Sequence, residues 1–405
     1  MSEKKILRMK RLAGVAVALV CLLPSVTFGQ ISTGEVTGAE INTLQSAVPF
    51  LTIAPDSRAG AMGDVGVATS PDINSQHWNA AKYVFMEGNG GMAISYTPWL
   101  RKLVPDINLA YLAGYYKLDG QQALSASLRY FSLGNIVFTD RFGNPDGRQF
   151  NPNEFALDAG YSRLFTDNLS GAITFRFIRS DLTGGQYVGD LESKAGVSVA
   201  ADLGFYYTNE IDVSGRDANL SFGANISNIG TKISYTANQD KAFIPINLRL
   251  GSALKMDLDP YNSFTFALDL NKLLIPTQPL YADTDTAEII LKGKDPNVSV
   301  PLGMLQSFYD APGIDNPRGS VFLEELHEIT YSLGVEYWYR EQFAIRGGYF
   351  YEYQTKGNRK YFTLGVGLKL NVFSLDFAYL IPTAVNNPLA NTLRFTLGFN
   401  FDKFR

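Results

Sequence analysis

From residue 92 onward, apolar residues recur at every second position. In 124–130, Leu124, Ala126, Leu128 and Tyr130 share one face, and Ser125, Ser127 and Arg129 share the other. Near the C-terminus, Leu393, Phe395, Leu397 and Phe399 alternate with Arg394, Thr396, Gly398 and Asn400. In 362–370 the second face is Thr363, Gly365, Gly367 and Lys369, and in 264–270 it is Thr265, Ala267 and Asp269. A period of two is the mark of a strand with one apolar face. About fourteen such segments follow one another: 92–100, 107–118, 122–140, 153–165, 169–180, 195–208, 218–235, 245–257, 262–275, 328–340, 342–353, 360–370, 373–382 and 391–401. The second face is small, glycine-rich and studded with single Arg and Asp residues. That suits the wall of a crowded lumen better than a surface in bulk water.

Connections after even strands are short: 119–120, 166–168, 258–261, 341 and 371–372. Those after odd strands are longer: 141–152, 181–194 and 276–327. Short turns at one end and long loops at the other characterise transmembrane barrels, and an even strand number puts both ends of the wall on the same side. The stretch 209–217 is the exception, a longish connection on the short-turn side. The chain therefore reads as all-β: a transmembrane antiparallel β-barrel of about fourteen strands at residues 92–405. Both termini are expected on the periplasmic side of the outer membrane, with outer-membrane lipid around the wall.

Composition agrees. Aromatic residues make up 13% of the 405 residues, with 22 Tyr and 27 Phe, and charged residues only 18%. Mean hydropathy is −0.04, far from the value of a helical membrane protein, and no apolar run of spanning length follows the N-terminus. A net charge of −4 and the lack of a basic stripe argue against nucleic acid as a partner. Lys4, Lys5, Arg8, Lys10 and Arg11 precede an apolar run at 12–23, and Thr27-Phe28-Gly29 is an acceptable cleavage site. Residues 1–29 are expected to be a signal peptide. Cys21, the sole cysteine, follows Val20 and precedes Leu22-Leu23, which is not the setting of a lipidated cysteine.

Two regions do not alternate. Residues 30–91 are expected to form a plug, or hatch, inside the barrel. Residues 276–327 form one long outer loop with helical patterns at 302–308 and 321–327, a potential cap or docking platform. The lumen-lining charges are Arg129, Asp158, Arg176, Asp202, Arg249, Asp269, Lys369, Asp376 and Arg394, expected to pair with one another or with the plug.

Catalytic patterns are missing. Residues 30–405 hold no cysteine, and the two histidines lie 250 residues apart without a metal-spaced partner. No nucleophile elbow or phosphate loop follows a strand. Gly60, Gly63 and Gly66 recur every three residues, but no strand precedes them and no Gly-Lys-Ser/Thr follows. His327 has Glu324, Glu325 and Glu328 around it, read as a solvated acidic helix face rather than a metal site. The expectation is no enzyme, no cofactor and no metal.

The run APDSRAGAMGDVGVATSPDINSQHWNAAKY at 54–83 resembles the N-terminal signature of the PorV family of the type IX secretion system, distant relatives of the FadL fatty-acid channels. The marks are Arg58 before Ala-Gly-Ala-Met-Gly, then Val-Ala-Thr-Ser-Pro-Asp, then Trp78-Asn79-Ala80-Ala81, where the broader FadL-like group more often carries Asn-Pro-Ala. Arg58, Gly60, Gly63, Asp64, Asp72, Trp78 and Asn79 are the signature positions, with Trp78 and Asn79 candidates for pinning the plug to the wall and His77 for a structural hydrogen bond.

The resemblance implies a FadL-like barrel that binds secreted proteins through their C-terminal signal domain. It would receive them from the large translocon barrel and deliver them to a sortase-like attachment complex at the cell surface. Cargo contacts would then lie on 276–327, with Phe308, Tyr309 and Phe322 as anchors, and on 141–152 and 181–194. The alternative is a FadL-type channel for hydrophobic small molecules, its pocket lined by Trp99, Leu100, Leu103, Val104 and residues 273–275.

Overall fold

The computed structural model describes residues 40–401 apart from 102, 103, 105, 140, 141, 143, 189, 190, 237–240, 283–288, 385 and 386. The expected signal peptide, its cleavage site and Cys21 lie outside the described residues. Fourteen strands close into one antiparallel barrel in chain order. They are β1 (Gly90–Pro98), β2 (Asn108–Lys117), β3 (Gln122–Ser132), β4 (Asn153–Thr166), β5 (Leu169–Asp181), β6 (Gly196–Asp212) and β7 (Asp217–Gly230). The second half comprises β8 (Asn247–Asp259), β9 (Asn262–Leu273), β10 (Thr330–Tyr339), β11 (Phe343–Tyr351), β12 (Lys360–Lys369), β13 (Phe373–Pro382) and β14 (Leu393–Asn400). The seam joins β1 to β14, from Gly91 opposite Asn400 to Tyr96 opposite Phe395. Closure leaves no free sheet edge, which a wall in lipid requires.

Side chains alternate as the sequence pattern implies. On β3, Ser125, Ser127 and Arg129 are buried inside, while Leu124, Leu128 and Tyr130 are exposed outside. Ile94, Leu157, Phe175, Val197, Phe222, Phe266 and Leu364 continue the exposed apolar band around the wall. The expected ends of two strands are corrected. The strand expected at 122–140 stops at Ser132, because Gly134 turns the chain at φ +85°. Ile136–Thr139 then pairs with Pro145–Phe150 in a separate hairpin. The strand expected to reach 235 leaves the wall after Gly230, and the described residues that follow bury Ile233, Phe243, Ile244 and Ile246. The longish connection expected at 209–217 shrinks to 213–216, since β6 and β7 extend to meet a tight turn.

The segment before β1 lies inside the wall. Thr396 of β14 accepts from the Ser57 amide, Thr363 of β12 from the Gly63 amide, and Asp269 of β9 from the Gly66 and Val67 amides. Asn79 donates to Phe205 O of β6, and Ser170 of β5 donates to Ala81 O. A segment bonded to strands all round a closed barrel can only be within it. Its short helical turns, Ser57–Gly60 and Ser75–Trp78, carry side-chain caps or turns from Asp56 and Asp72. Gly63 has φ +72°, and a Cβ there would sit 2.7 Å from the Tyr349 amide nitrogen and 2.8 Å from Leu333 O. Both the backbone conformation and the close approach to β10 and β11 exclude a side chain.

The two ends of the wall meet at the short-turn side, where the Asn400 amide donates to Val372 O and the Phe401 amide to Gly90 O. The described chain itself begins at the opposite end. The Glu40 amide donates to Ile314 O in the long loop, and the Asn42 amide to Thr355 O beyond β11. The segment therefore runs the length of the lumen. At the long-loop mouth an apolar cluster closes over it, with Val48, Phe50 and Leu51 packed against Ile244, Leu274 and Ile275. The pocket expected around 273–275 is thus filled, and Trp99 packs on the same cluster; Leu103 lies outside the described residues.

Gly63→Ala should lower the unfolding temperature of the heat-modifiable barrel by an amount equivalent to roughly 1–3 kcal/mol. Gly120→Ala, at a turn where a Cβ meets nothing within 4 Å, should leave it unchanged. Equal melting of the two variants would contradict the close packing at Gly63.

Candidate functional site

Three layers of buried charge fill the lumen. The first joins the inner segment to β10. Glu336 accepts from two of the three guanidinium nitrogens of Arg58, Nη2 at 2.8 Å and Nε at 3.0 Å, and also from Arg346 Nε at 2.6 Å. Arg58 reaches on to Asp72 at 2.9 Å and Arg346 to Asp376 at 2.6 Å. The paired carboxylates raise the Arg58 guanidinium above its ordinary range against the pull of burial. The second layer is Arg176 between Asp158 (2.7 Å) and Asp202 (3.0 Å); on β14, Arg394 binds Asp64 of the inner segment at 3.0 Å.

The third layer surrounds Trp78. Its indole N–H donates to Asp56 at 2.7 Å, and the Arg249 guanidinium lies 4.7 Å above the ring. Burial pushes the Asp56 carboxyl up to about 6. His77 contacts Arg129 through Nδ1 at 2.6 Å, and burial among three arginines keeps its imidazole neutral well below its ordinary range. Lys82, fully buried on Gly66 O at 2.7 Å, is pushed down to about 8 by desolvation.

Every signature position therefore contacts the inner scaffold. Gly60 makes room for the Arg394 side chain, and a Cβ there would lie 2.8 Å from its Cδ. Asp72 closes a turn on the Asn74 amide, and Asn79 ties Val67 O to Phe205 O. Asp269 receives two backbone amides rather than an arginine. Alternation alone would have placed Glu336 and Arg346 inward, beside Ser332, Gly334, Ala344 and Gly348. The sequence reading missed both, although Glu336 is the carboxylate on which the inner segment is anchored.

The long loop is a folded cap. It contains the helices Val300–Gln306 and Val321–His327 and a short pairing of Leu280–Tyr281 with Ile290–Lys292. The acidic row is not a solvated face. Glu324, Glu325 and Glu328 are buried because two lysines from the barrel rim rise to meet them. Lys272 binds Glu325 (2.9 Å) and Glu328 (2.7 Å), and Lys356 binds Glu324 (2.7 Å) and Glu328 (3.1 Å). Asn42 donates to Glu324 at 2.9 Å, so the inner segment is stitched into the same clamp. His327 stacks on Tyr353 at 3.5 Å and contacts Asp315 at 2.7 Å. No group of metal-binding character occurs among the described residues.

In the cap, Leu302, Leu305, Phe308, Tyr309 and Phe322 are exposed. Phe308 lies 5.9 Å from the Lys272 ammonium and Tyr309 3.7 Å from that of Lys294. Two cavities flank the inner segment. One of about 380 Å³ includes Arg58, Asp72, Glu336 and Trp338 in its lining, and one of about 340 Å³ includes His77, Arg249 and Glu328.

The sequence model of the family described as "Type IX secretion system protein PorV" matches residues 36–280, more than half of the chain. The chain belongs to the PorV family. It is thereby an outer-membrane β-barrel of type IX secretion, a family of secretion proteins rather than enzymes. The match ends at residue 280, where the cap of this PorV-family chain begins.

Among solved structures, the Pseudomonas putida toluene transporter TodX is similar at 9% identity and TM-score 0.48, covering 89% of this chain and 99% of its own. A Pseudomonas aeruginosa FadL homologue is similar at 11% identity and TM-score 0.41, with coverage of 89% and 99%. The Ralstonia pickettii toluene transporter TbuX stands at 10% and 0.40, with coverage of 85% and 96%. At these values the likenesses carry no functional weight. No curated protein matches the sequence.

Glu336→Gln leaves two buried guanidiniums without their shared carboxylate, and should destabilise the PorV-family barrel by on the order of 3–5 kcal/mol. Thermal unfolding in detergent measures it, and a loss under 1 kcal/mol would contradict the anchoring role.

The cap should also respond to pH. Burial and the neighbouring Glu325 and Glu328 push Asp310 up to about 7. A carboxyl raised in this way favours the folded cap below about pH 4, and that contribution is lost as pH rises through about 7. After correction for intrinsic rates, hydrogen exchange at the Thr277 and Ala311 amides should be faster at pH 8 than at pH 6. Asp310→Asn should remove the difference; a pH-independent wild type would overturn it.

Proposed function

We propose that this chain is a non-enzymatic cargo carrier of type IX secretion. It binds secreted proteins through their C-terminal signal domain, receives them from the large translocon barrel and passes them to the sortase-like attachment complex. In this reading residues 40–89 are a permanent hatch, the short turns face the periplasm and the cap faces outward.

The observation that carries the reading is the cap. In the long loop, buried Lys272 and Lys356 hold three glutamates, and the described residues include several exposed apolar side chains. Rigid aromatic and aliphatic anchors on a preordered platform are what a protein-binding hot spot needs. Leu302, Leu305, Phe308, Tyr309 and Phe322 are the proposed contacts. The hairpin Ile136–Thr139 with Pro145–Phe150 stands at the same end of the barrel and offers a rim for the partner.

The channel reading draws support from the two lumenal cavities. Against it stand the apolar cluster at the long-loop mouth and the ion-paired segment between the cavities. Both would have to move for a hydrophobic solute to pass.

The protein purified from outer membranes should bring with it secreted proteins that share a C-terminal β-sandwich signal domain. Leu305→Asp with Phe322→Asp changes only exposed positions, so the barrel should remain heat-modifiable while cargo recovery falls at least tenfold. Unchanged recovery would remove the cap from the account. Loss of the gene that spares secretion but abolishes growth on a lipid-like nutrient would favour the channel.

A further inference from the structure

Buried cations in this lumen have carboxylates beside them, except in the third layer, where Lys82 rests on the Gly66 carbonyl and two arginines lack one. Arg129 and Arg249 are buried, and neither has a carboxylate oxygen within 4 Å among the described residues. Arg129 donates to the carbonyls of Phe50 and Leu51 and to His77. Arg249 donates to Asn271 through Nε at 2.8 Å and to His77 O at 3.3 Å. Its Nη2 has no hydrogen-bond partner among the described residues. His77 cannot offset them, being neutral, and its Nε2 is likewise without a partner.

Carboxylates near the cavity of about 340 Å³ are already engaged. Asp64 is bound to Arg394, Glu328 to Lys272 and Lys356, and Glu352 to Arg359. Elsewhere in the lumen, Asp158 and Asp202 hold Arg176, and Asp269 accepts from two backbone amides. Taking a guanidinium out of water without a counter-charge costs several kcal/mol. Asp158, Asp202 and Asp269 supply negative charge at longer range, but none of them bonds Arg129 or Arg249, and Arg249 faces the cavity with a donor unused.

We propose that this lumenal cavity is a binding site for a small oxyanion, a carboxylate or phosphate group, seated on Arg249 beside Trp78 and compensated by Arg129 behind His77. Arg249 presents its free Nη2 to the anion. Asn247 also lines the cavity, as do Arg176 and Lys356, whose own carboxylates hold them. The site is independent of cargo binding at the cap. Leu44 and Leu51 of the apolar cluster form part of its lining toward the long-loop mouth.

The guanidinium stacked on Trp78 provides the readout. In the full chain carrying Trp99→Phe and Trp338→Phe, Trp78 is the remaining tryptophan of the three. Titration at constant ionic strength with sodium phosphate, sodium citrate or sodium dodecanoate, against chloride as control, should change Trp78 emission saturably with phosphate or citrate. Whichever of the two acts more tightly identifies the source as a phosphate or a carboxylate.

Arg249→Gln should weaken that response at least tenfold. If that variant does not fold, Arg249→Lys, which keeps the charge but loses the forked donors, should weaken it too. Bound anion should also raise the melting temperature of the unmodified chain. No saturable response to phosphate or citrate, a response to dodecanoate alone, or an undiminished response in the Arg249 variants would overturn the proposal.

Discussion

Glu336 lies at the centre of a constraint that shapes the whole molecule. A closed barrel of fourteen strands turns half of its side chains into a space with little bulk water, and each polar group there needs a partner. Glu336 meets that need by binding Arg346 from the next strand and Arg58 from the inner segment. Wall and filling are thus parts of one charged network rather than a container and its contents. Asp269 under two backbone amides and Thr363 under another repeat the same device with neutral donors. The small residues follow from it, since Gly348 and Gly334 of the wall face Met62 and Gly63 so closely that no side chain would fit.

In the proposed reading the working surface lies at the long-loop end of the barrel. At the long-loop end the same chemistry is used again, with two rim lysines holding three glutamates of the cap and Asn42 joining them from the inner segment. Cap, rim and inner segment are therefore mechanically continuous. In the proposed reading such continuity suits a platform for a large partner better than a path for a small solute. This is why membership of a secretion family and the structure of the loop point the same way, although the family match stops before the cap.

Much of this was legible in the chain because the wall obeys a local rule. Alternation needs no knowledge of distant residues, so the strand count and the inward placement of Arg129, Arg176 and Arg394 could be read directly. Where the rule was interrupted, reading failed. Ile136–Thr139 continues to look like a strand, and only the positive φ at Gly134 takes it out of the wall. The acidic row at 324–328 looked solvated because its cations are Lys272 and Lys356, about fifty residues earlier and thirty residues later in the chain. The signature run could be located but not interpreted residue by residue, since the partners of Arg58 and Asp64 lie about 280 and 330 residues away. Nothing in the sequence says that the chain enters the lumen from the long-loop end.

The central claim is that the inner segment stays in place while the protein works. Ser57 of that segment and Thr396 of β14 have hydroxyl oxygens 3.1 Å apart, and residues 30–405 carry no native cysteine to interfere. Ser57→Cys with Thr396→Cys therefore offers a disulfide that locks segment to wall, and its formation can be followed by mobility without reductant. Secretion in cells carrying only the locked protein is the decisive measurement. The account predicts export equal to that of the unlocked chain. Loss of export in the locked protein, restored by reduction, would contradict it.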